Sequence, residues 1–343
     1  MEIEGSGNAS STALVNVNVE KDQALIVKED EEIPRTSSLP APTMLLTGHT
    51  DAVYTLKFSP EGQHLATGGA DKQILLWDVY GDCQNFGVLE GHKNAISEVC
   101  WSSDGMSLYS GAADSLVMGW DTAYCKCVRK FKGHGSFVNS IDVSKNSEEL
   151  IISASDDTTC KLWDRHTNKC VKTIPHDYQV TSCCFNEDGT QIITGGLDGI
   201  IRVFDMNTFT CSLTLPPVND IITGISAAPE GGYLLCNSMD NMLRVFDVNP
   251  FFSGTNRCVK IMRGHSHSYE KNLLKCSWAP DLSMVTCGSA DSFVYVYDTT
   301  TLEIKYCLPG HKGSVNDVQF HPLEPIIGSV SSDKNIFLGE ILP

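Results

Sequence analysis

The sequence is short of positive charge: 25 Lys and Arg face 42 Asp and Glu, a formal net charge of −17 over 343 residues. A surface this acidic gains little from displacing counterions on a phosphate backbone, which argues against strong direct nucleic-acid binding. The cluster Lys126, Arg129, Lys130 and Lys132 is the local exception, read first as a solvated strand face. No run of 18 or more apolar residues occurs, so no helical membrane span is expected. Nor does a basic start lead into an apolar stretch, the form of a secretory signal. The 14 cysteines have no framework spacing: Cys125-x-Cys127 and Cys183-Cys184 are the nearest approaches, and C-x-x-C is absent. Such cysteines behave as small hydrophobes and fit a reducing compartment, nuclear or cytosolic. There is no G-x-x-x-x-G-K-[ST] phosphate loop and no H-E-x-x-H pair. No metal or cofactor is expected.

What is present is a repeat. Gly-His occurs at Gly48-His49, Gly91-His92, Gly133-His134, Gly264-His265 and Gly310-His311, and Trp-Asp at Trp77-Asp78, Trp120-Asp121 and Trp163-Asp164. The first three Gly-His pairs stand 43 and 42 residues apart, and each Trp follows its Gly by 29 or 30 residues. This period and these dipeptides identify the chain as a member of the WD-repeat family, whose repeats are four-stranded β-propeller blades. With degenerate copies, the slots open at Gly48, Gly91, Gly133, Pro175, Pro217, Gly264 and Gly310. The expectation is an all-β, seven-bladed propeller whose function lies on rims and loops.

Residues 1–38 are rich in Ser, Asn, Gly and acids and poor in aromatics, so they read as a disordered acidic tail ahead of a propeller over 39–343. In the first blade the innermost strand is Val53–Phe58, the second His64–Gly68 and the third Gln73–Asp78, with turns at Pro60-Glu61-Gly62 and Ala70-Asp71-Lys72. Phe58, Trp101, Phe185, Trp278 and Phe320 share one inner-strand slot and read as core. The chain stops after the third strand of blade seven, so Thr43-Met44-Leu45-Leu46 is expected to supply the fourth. That pairing closes the ring and hides two sheet edges.

Every blade has an Asp six residues before its Trp slot: Asp71, Asp114, Asp157, Asp198, Asp240, Asp291 and Asp333. Ser-His-Asp combinations therefore recur, but seven copies of one active site in a chain are implausible. A structural network accounts for them: indole donates to hydroxyl, hydroxyl to imidazole, and imidazole to carboxylate. It is complete in His49/Thr67/Asp71/Trp77, His92/Ser110/Asp114/Trp120 and His134/Ser153/Asp157/Trp163. Blade four has Phe204 in the Trp slot, blade six Cys287 and Tyr297, and blade seven Gly339. Blade five has Val218 and Cys236, leaving Asp240 with little to bind. The second half of the ring is thus expected to be held more by packing than by polar networks. His265 and His267 near Glu270 give only a weak metal signal.

Some stretches depart from the generic repeat. They include Ile74-Leu75-Leu76-Trp77-Asp78-Val79-Tyr80-Gly81-Asp82-Cys83, Arg244-Val245-Phe246-Asp247-Val248-Asn249-Pro250-Phe251, and Tyr269-Glu270-Lys271-Asn272-Leu273-Leu274-Lys275-Cys276-Ser277-Trp278. With Phe137-Val138-Asn139-Ser140 and the unusual Gly339-Glu340 in the Trp-Asp slot of blade seven, they resemble the spliceosomal propellers of the U5 small nuclear ribonucleoprotein. The resemblance covers Ala41 to Leu342. It implies a nuclear, non-catalytic scaffold in pre-mRNA splicing that docks on pre-mRNA-processing-splicing factor 8, beside a GTPase and an RNA helicase. It also implies a monomer within a larger ribonucleoprotein, with RNA contact weak or indirect.

The residues mark partner candidates independently. Asp247 to Gly264 spans 17 residues where other blades take 11 to 13, and the stretch after Gly264 is also long. Insertions on a repeat scaffold carry recognition, and aromatics are favoured anchors. Phe251, Phe252 and Tyr269 are therefore expected to form one partner surface, with Tyr54, Phe137 and Asn139 as rim candidates. Competing readings are a chromatin-tail reader, for which the rim is too apolar, and a ubiquitin-ligase substrate adaptor, for which W-D-x-R is missing.

Overall fold

The computed structural model describes residues 35–145, 150–254, 256–270 and 272–341. The described chain folds into seven four-stranded antiparallel sheets. Blade one comprises Val53–Phe58, His64–Gly69, Gln73–Asp78 and Asn85–Glu90, running from the inside outward. The other inner strands are Ile96–Trp101, Val138–Val143, Val180–Phe185, Ile222–Ala227, Cys276–Trp278 and Val315–Phe320. Each inner strand packs beside the next, and the last packs beside the first, so the ring is closed. We call the face where inner strands begin the leading face and the other the trailing face.

Local chemistry explains the blade. The turn between second and third strands puts Lys72, Ser115, Thr158, Gly199, Asn241, Ser292 and Lys334 in left-handed backbone, φ between 60° and 73°. The preceding Asp supports that turn: Asp71 accepts the amide of Gln73 at 3.2 Å, Asp157 that of Thr159 at 3.0 Å, and Asp333 that of Asn335 at 3.0 Å. This is why the Asp persists in blades that have lost the His or Trp. Apolar side chains pack between neighbouring blades, as where Ala66, Ile74 and Leu76 of blade one meet Ile96, Val99 and Trp101 of blade two.

The ring closes through Thr43–Thr47, which pairs antiparallel with Asn335–Glu340 in the register Thr43↔Gly339, Leu45↔Phe337 and Thr47↔Asn335. Glu340 occupies the slot where other blades have the Asp of Trp-Asp. It accepts the Arg35 guanidinium at 2.8 Å and the Thr36 hydroxyl at 3.0 Å, and also the amides of Thr36 and Ser37. Burial alone would raise its carboxyl, but Arg35 and these amides hold it below the ordinary range. The odd Gly-Glu is thus a clamp on the incoming chain. Residues 35–38, read from sequence as tail, are bonded to blade seven; Ser38 donates its amide to Glu324 at 2.7 Å. The remainder of the expected tail, residues 1–34, lies outside the described residues.

Removing residues 1–34 should leave the melting temperature nearly unchanged. Removing residues 1–47 uncovers the edge of Asn335–Glu340 and should cause aggregation or unfolding at much lower temperature. Equal melting of the two truncations would rule out closure as the stabilising element.

Candidate interaction surface

The polar networks resemble catalytic triads in the residue types they combine. In blade one Trp77 Nε1 donates to Thr67 Oγ1 at 3.0 Å, that hydroxyl meets His49 Nε2 at 2.8 Å, and His49 Nδ1 meets Asp71 at 2.7 Å. His92, Ser110, Asp114 and Trp120 repeat this at 2.7 to 3.0 Å, and His134, Ser153, Asp157 and Trp163 at 2.7 to 2.8 Å. Every hydroxyl is buried and engaged on both sides, so none faces a substrate. Burial would raise Asp157, yet the Thr159 hydroxyl, the Gly135 amide and His134 bring it down to about 2. Among the described residues, no three His, Cys, Asp or Glu side chains gather as a metal site.

The later blades differ from the sequence expectation. Asp240 is not left without partners: Arg244 pairs with it and also donates to Ser238 at 2.8 Å. Asp198 is met by Arg202 at 2.7 Å, and Asp291 accepts the Tyr295 hydroxyl at 2.7 Å. Polar links in this half of the ring are replaced rather than lost, since a buried carboxylate without a partner is costly. In blade six His265 reverses its roles. Nε2 donates to Asn237 Oδ1 at 2.9 Å, and Nδ1 accepts the Tyr297 hydroxyl at 3.2 Å. In blade seven His311 keeps Ser329 and Asp333, and Phe337 packs on its ring edge at 4.7 Å.

Two rings of side chains line the channel, and of their members sequence reading named only Tyr54 and Asn139, as rim candidates. The second residue of most inner strands is a β-bulge, which turns its side chain toward the next blade. Ser97 donates to Val138 O at 2.5 Å, Asn139 to Val180 O at 2.9 Å, Thr181 to Ile222 O at 2.5 Å and Asn316 to Val53 O at 2.7 Å. The third residue accepts an amide from the neighbour: Glu98 from Ile141 at 3.0 Å, Ser182 from Ile225 at 3.1 Å and Asp317 from Leu56 at 3.0 Å. In blade six the equivalent position, just ahead of Cys276–Trp278, is Lys275. It crosses the channel to Glu98 at 2.9 Å and to Ser97 O at 3.0 Å. Burial would raise Glu98, but Lys275 and Lys57 hold it low. The space left there is only about 40 Å³.

The six partner candidates do not form one surface. Phe251 and Phe252 lie in the loop before Cys258–Arg263 and Tyr269 in the loop after it, so a six-residue strand separates them. That strand spans about 20 Å, which puts the loops on opposite faces. Phe251, on the trailing face, is 93% exposed, whereas Phe252 is half-buried beneath the Arg257 guanidinium at 5.1 Å. Tyr269 is fully exposed on the leading face. There the long blade-six loop leans over the channel. Asn272, Leu273 and Lys275 join Tyr54 and Phe137 around a cavity of about 250 Å³. Burial raises the Tyr54 phenol, with Asp51 and Glu270 adding to it. Asn139 also lines the cavity, but its amide is committed to Asp156 at 2.7 Å and to Val180 O, so it ties blades together.

The comparisons bear on this geometry. The family model described as WD domain, G-beta repeat matches residues 41–78, 83–121, 125–164, 168–205, 209–247, 256–298 and 302–338. The U5 small nuclear ribonucleoprotein 40 kDa protein of Homo sapiens is 55% identical over 308 residues, covering 90% of this chain and 86% of that protein. The chain belongs to the WD-repeat family, in the group of these U5 40 kDa proteins. The Dictyostelium discoideum member is 44% identical over 90% of this chain and 87% of its own length. Pre-mRNA-splicing factor cwf17 of Schizosaccharomyces pombe is also 44% identical, over 92% of both chains.

In this WD-repeat ring the cross-channel pair should matter for stability. Lys275→Met strands a buried carboxylate and should cost about 3–5 kcal/mol in urea unfolding. Adding Glu98→Gln should recover a large part. A double variant as unstable as the single one would mean that the pair is not the relevant contact.

Acid sensitivity follows from the histidines. Burial lowers His134, His176, His311 and His321, and takes His265 and His267 down to about 4. A group held neutral in the fold takes up a proton more readily when unfolded. Stability should therefore be full above the unfolded value of about 6.5 and fall as pH drops below it. The depressed Asp157 adds a second loss as pH falls from about 4 toward 2. Melting curves across pH 8 to 3 test this, and a plateau down to about pH 4 would contradict it.

Proposed function

We propose that the chain is a non-catalytic scaffold subunit of the U5 small nuclear ribonucleoprotein, working in the nucleus in pre-mRNA splicing and docking on pre-mRNA-processing-splicing factor 8. The observation that carries this reading is 55% identity to the human U5 40 kDa protein along nearly the whole ring. The polar groups support it, because the His, Ser and Asp side chains that resemble triads are spent on holding blades together. The net charge of −17 favours protein partners over direct RNA contact. A GTPase and a helicase of the same particle are the neighbours this reading supplies, around one copy of the chain.

The docking surface proposed is the leading face, where Tyr54 and Phe137 line the cavity at the channel mouth and Tyr269 stands exposed in the blade-six loop. Tyr and Phe there offer area at low entropic cost. Among the described residues, the cavity lining includes no carboxylate, so it favours an apolar segment over the basic tail a chromatin reader would take. Tyr54→Ala, Phe137→Ala and Tyr269→Ala together should weaken capture of splicing factor 8 from nuclear extract at least about tenfold. Phe251→Ala on the trailing face should not, and melting curves should match throughout. Undiminished capture by the folded triple variant would remove this assignment.

A further inference from the structure

A cleft of about 540 Å³ opens on the trailing face between blades one and two. Three apolar side chains reach it from separate elements. Phe86 begins the outer part of blade one and is 44% exposed, while Met106 and Tyr124, in two turns of blade two, are 71% and 74% exposed. Single exposed apolar residues are ordinary, but three sharing one concavity mark an interaction site. The turns are braced: the Thr122 hydroxyl donates to Met106 O at 2.9 Å, the Tyr124 amide to Asp121 at 3.0 Å, and the Met106 amide to Asp104 at 2.9 Å. Little ordering remains to be done on binding.

The charge around these walls has one sign. Among the described residues, Glu61, Asp104 and Asp121 line the cleft, and no Lys or Arg does. Arg165 approaches Asp104 at 3.6 Å from the blade-three side, and Asp121 accepts the Tyr124 amide and borders Arg129 and Arg165, so Glu61 is the carboxylate that chiefly faces an occupant. His64 lies against Phe86 at 4.8 Å between ring centres and is bonded to Asp78 at 3.1 Å, so it completes the apolar wall.

We infer that this cleft docks a segment of a partner protein that presents an apolar side chain next to Lys or Arg. Charge selects among occupants. A nucleic-acid backbone would bring phosphates against carboxylates. The chain's own first 43 residues hold eight acids against three bases, and a second copy would bring another −17. The site lies on the opposite face from Tyr54 and Tyr269, so it stands apart from the U5 docking assignment.

The test uses the full chain and two pools of short biotinylated peptides. In one pool Leu, Phe and Met alternate with Lys and Arg; in the other they alternate with Asp and Glu. The wild type should retain the basic pool at least about tenfold over the acidic pool. Met106→Ser with Tyr124→Ser should abolish that enrichment, and Glu61→Lys should reduce it. Both substituted sites are exposed, so melting temperatures should stay at the wild-type value. No basic enrichment, or enrichment that survives in the variants, overturns the inference. So would a uridine oligonucleotide or a self-dimer whose binding is lost in the Met106/Tyr124 variant. Improved peptide retention on deletion of residues 1–34 would equally overturn it, by naming the chain's own N-terminal segment as the occupant. Capture of splicing factor 8 is a separate readout and should be unchanged in these variants.

Discussion

Each inner strand has one edge with no strand to pair with, and that edge faces the channel. Seven such edges meet around a space too narrow for a substantial ligand, so their amides and carbonyls must be bonded by side chains. The second residue of the strand donates to the next blade and the third accepts from it. Glu98, Ser182 and Asp317 are polar for that reason. Once the edges are satisfied in this way, the blades are locked in order, and apolar packing between sheets can take its full value.

Departures from the rule explain one another. Gly224 stands at the third position of blade five, where an added Cβ would lie 3.1 Å from Leu274 O, so blade six can approach closely. Asn237 takes that carbonyl at 3.1 Å, and the buried Thr223 hydroxyl has no protein partner among the described residues. Lys275, whose ammonium cannot accept an amide from the next blade, reaches across to Glu98. Blade one has Tyr54 at the bulge, too large for the tie that Ser97, Asn139 and Thr181 make. Its ring lines the mouth instead.

Two faces with different chemistry result. The leading mouth is largely apolar and lined in part by Asn272, Leu273 and Lys275, whereas the trailing cleft between blades one and two combines apolar walls with carboxylates.

The sequence by itself determined the blade count, the first three strands of blade one to within a residue, the order of ring closure and the members of the first three polar networks. These follow from short-range rules: alternation, turn residues and a repeat period. Position 71 and its counterparts were also legible, although their turn-stabilising role was not. Only the structure decided that Arg244 meets Asp240 and Arg202 meets Asp198, because the equivalent slot holds Leu75 and Met118 in the first two blades and the repeat does not mark the pairing. It also decided that Phe251 and Tyr269 lie on opposite faces. They are close in sequence, but the strand between them reverses the chain's position by its full length. Lys275 and Glu98 are 177 positions apart and meet only because the ring closes, which no local pattern encodes.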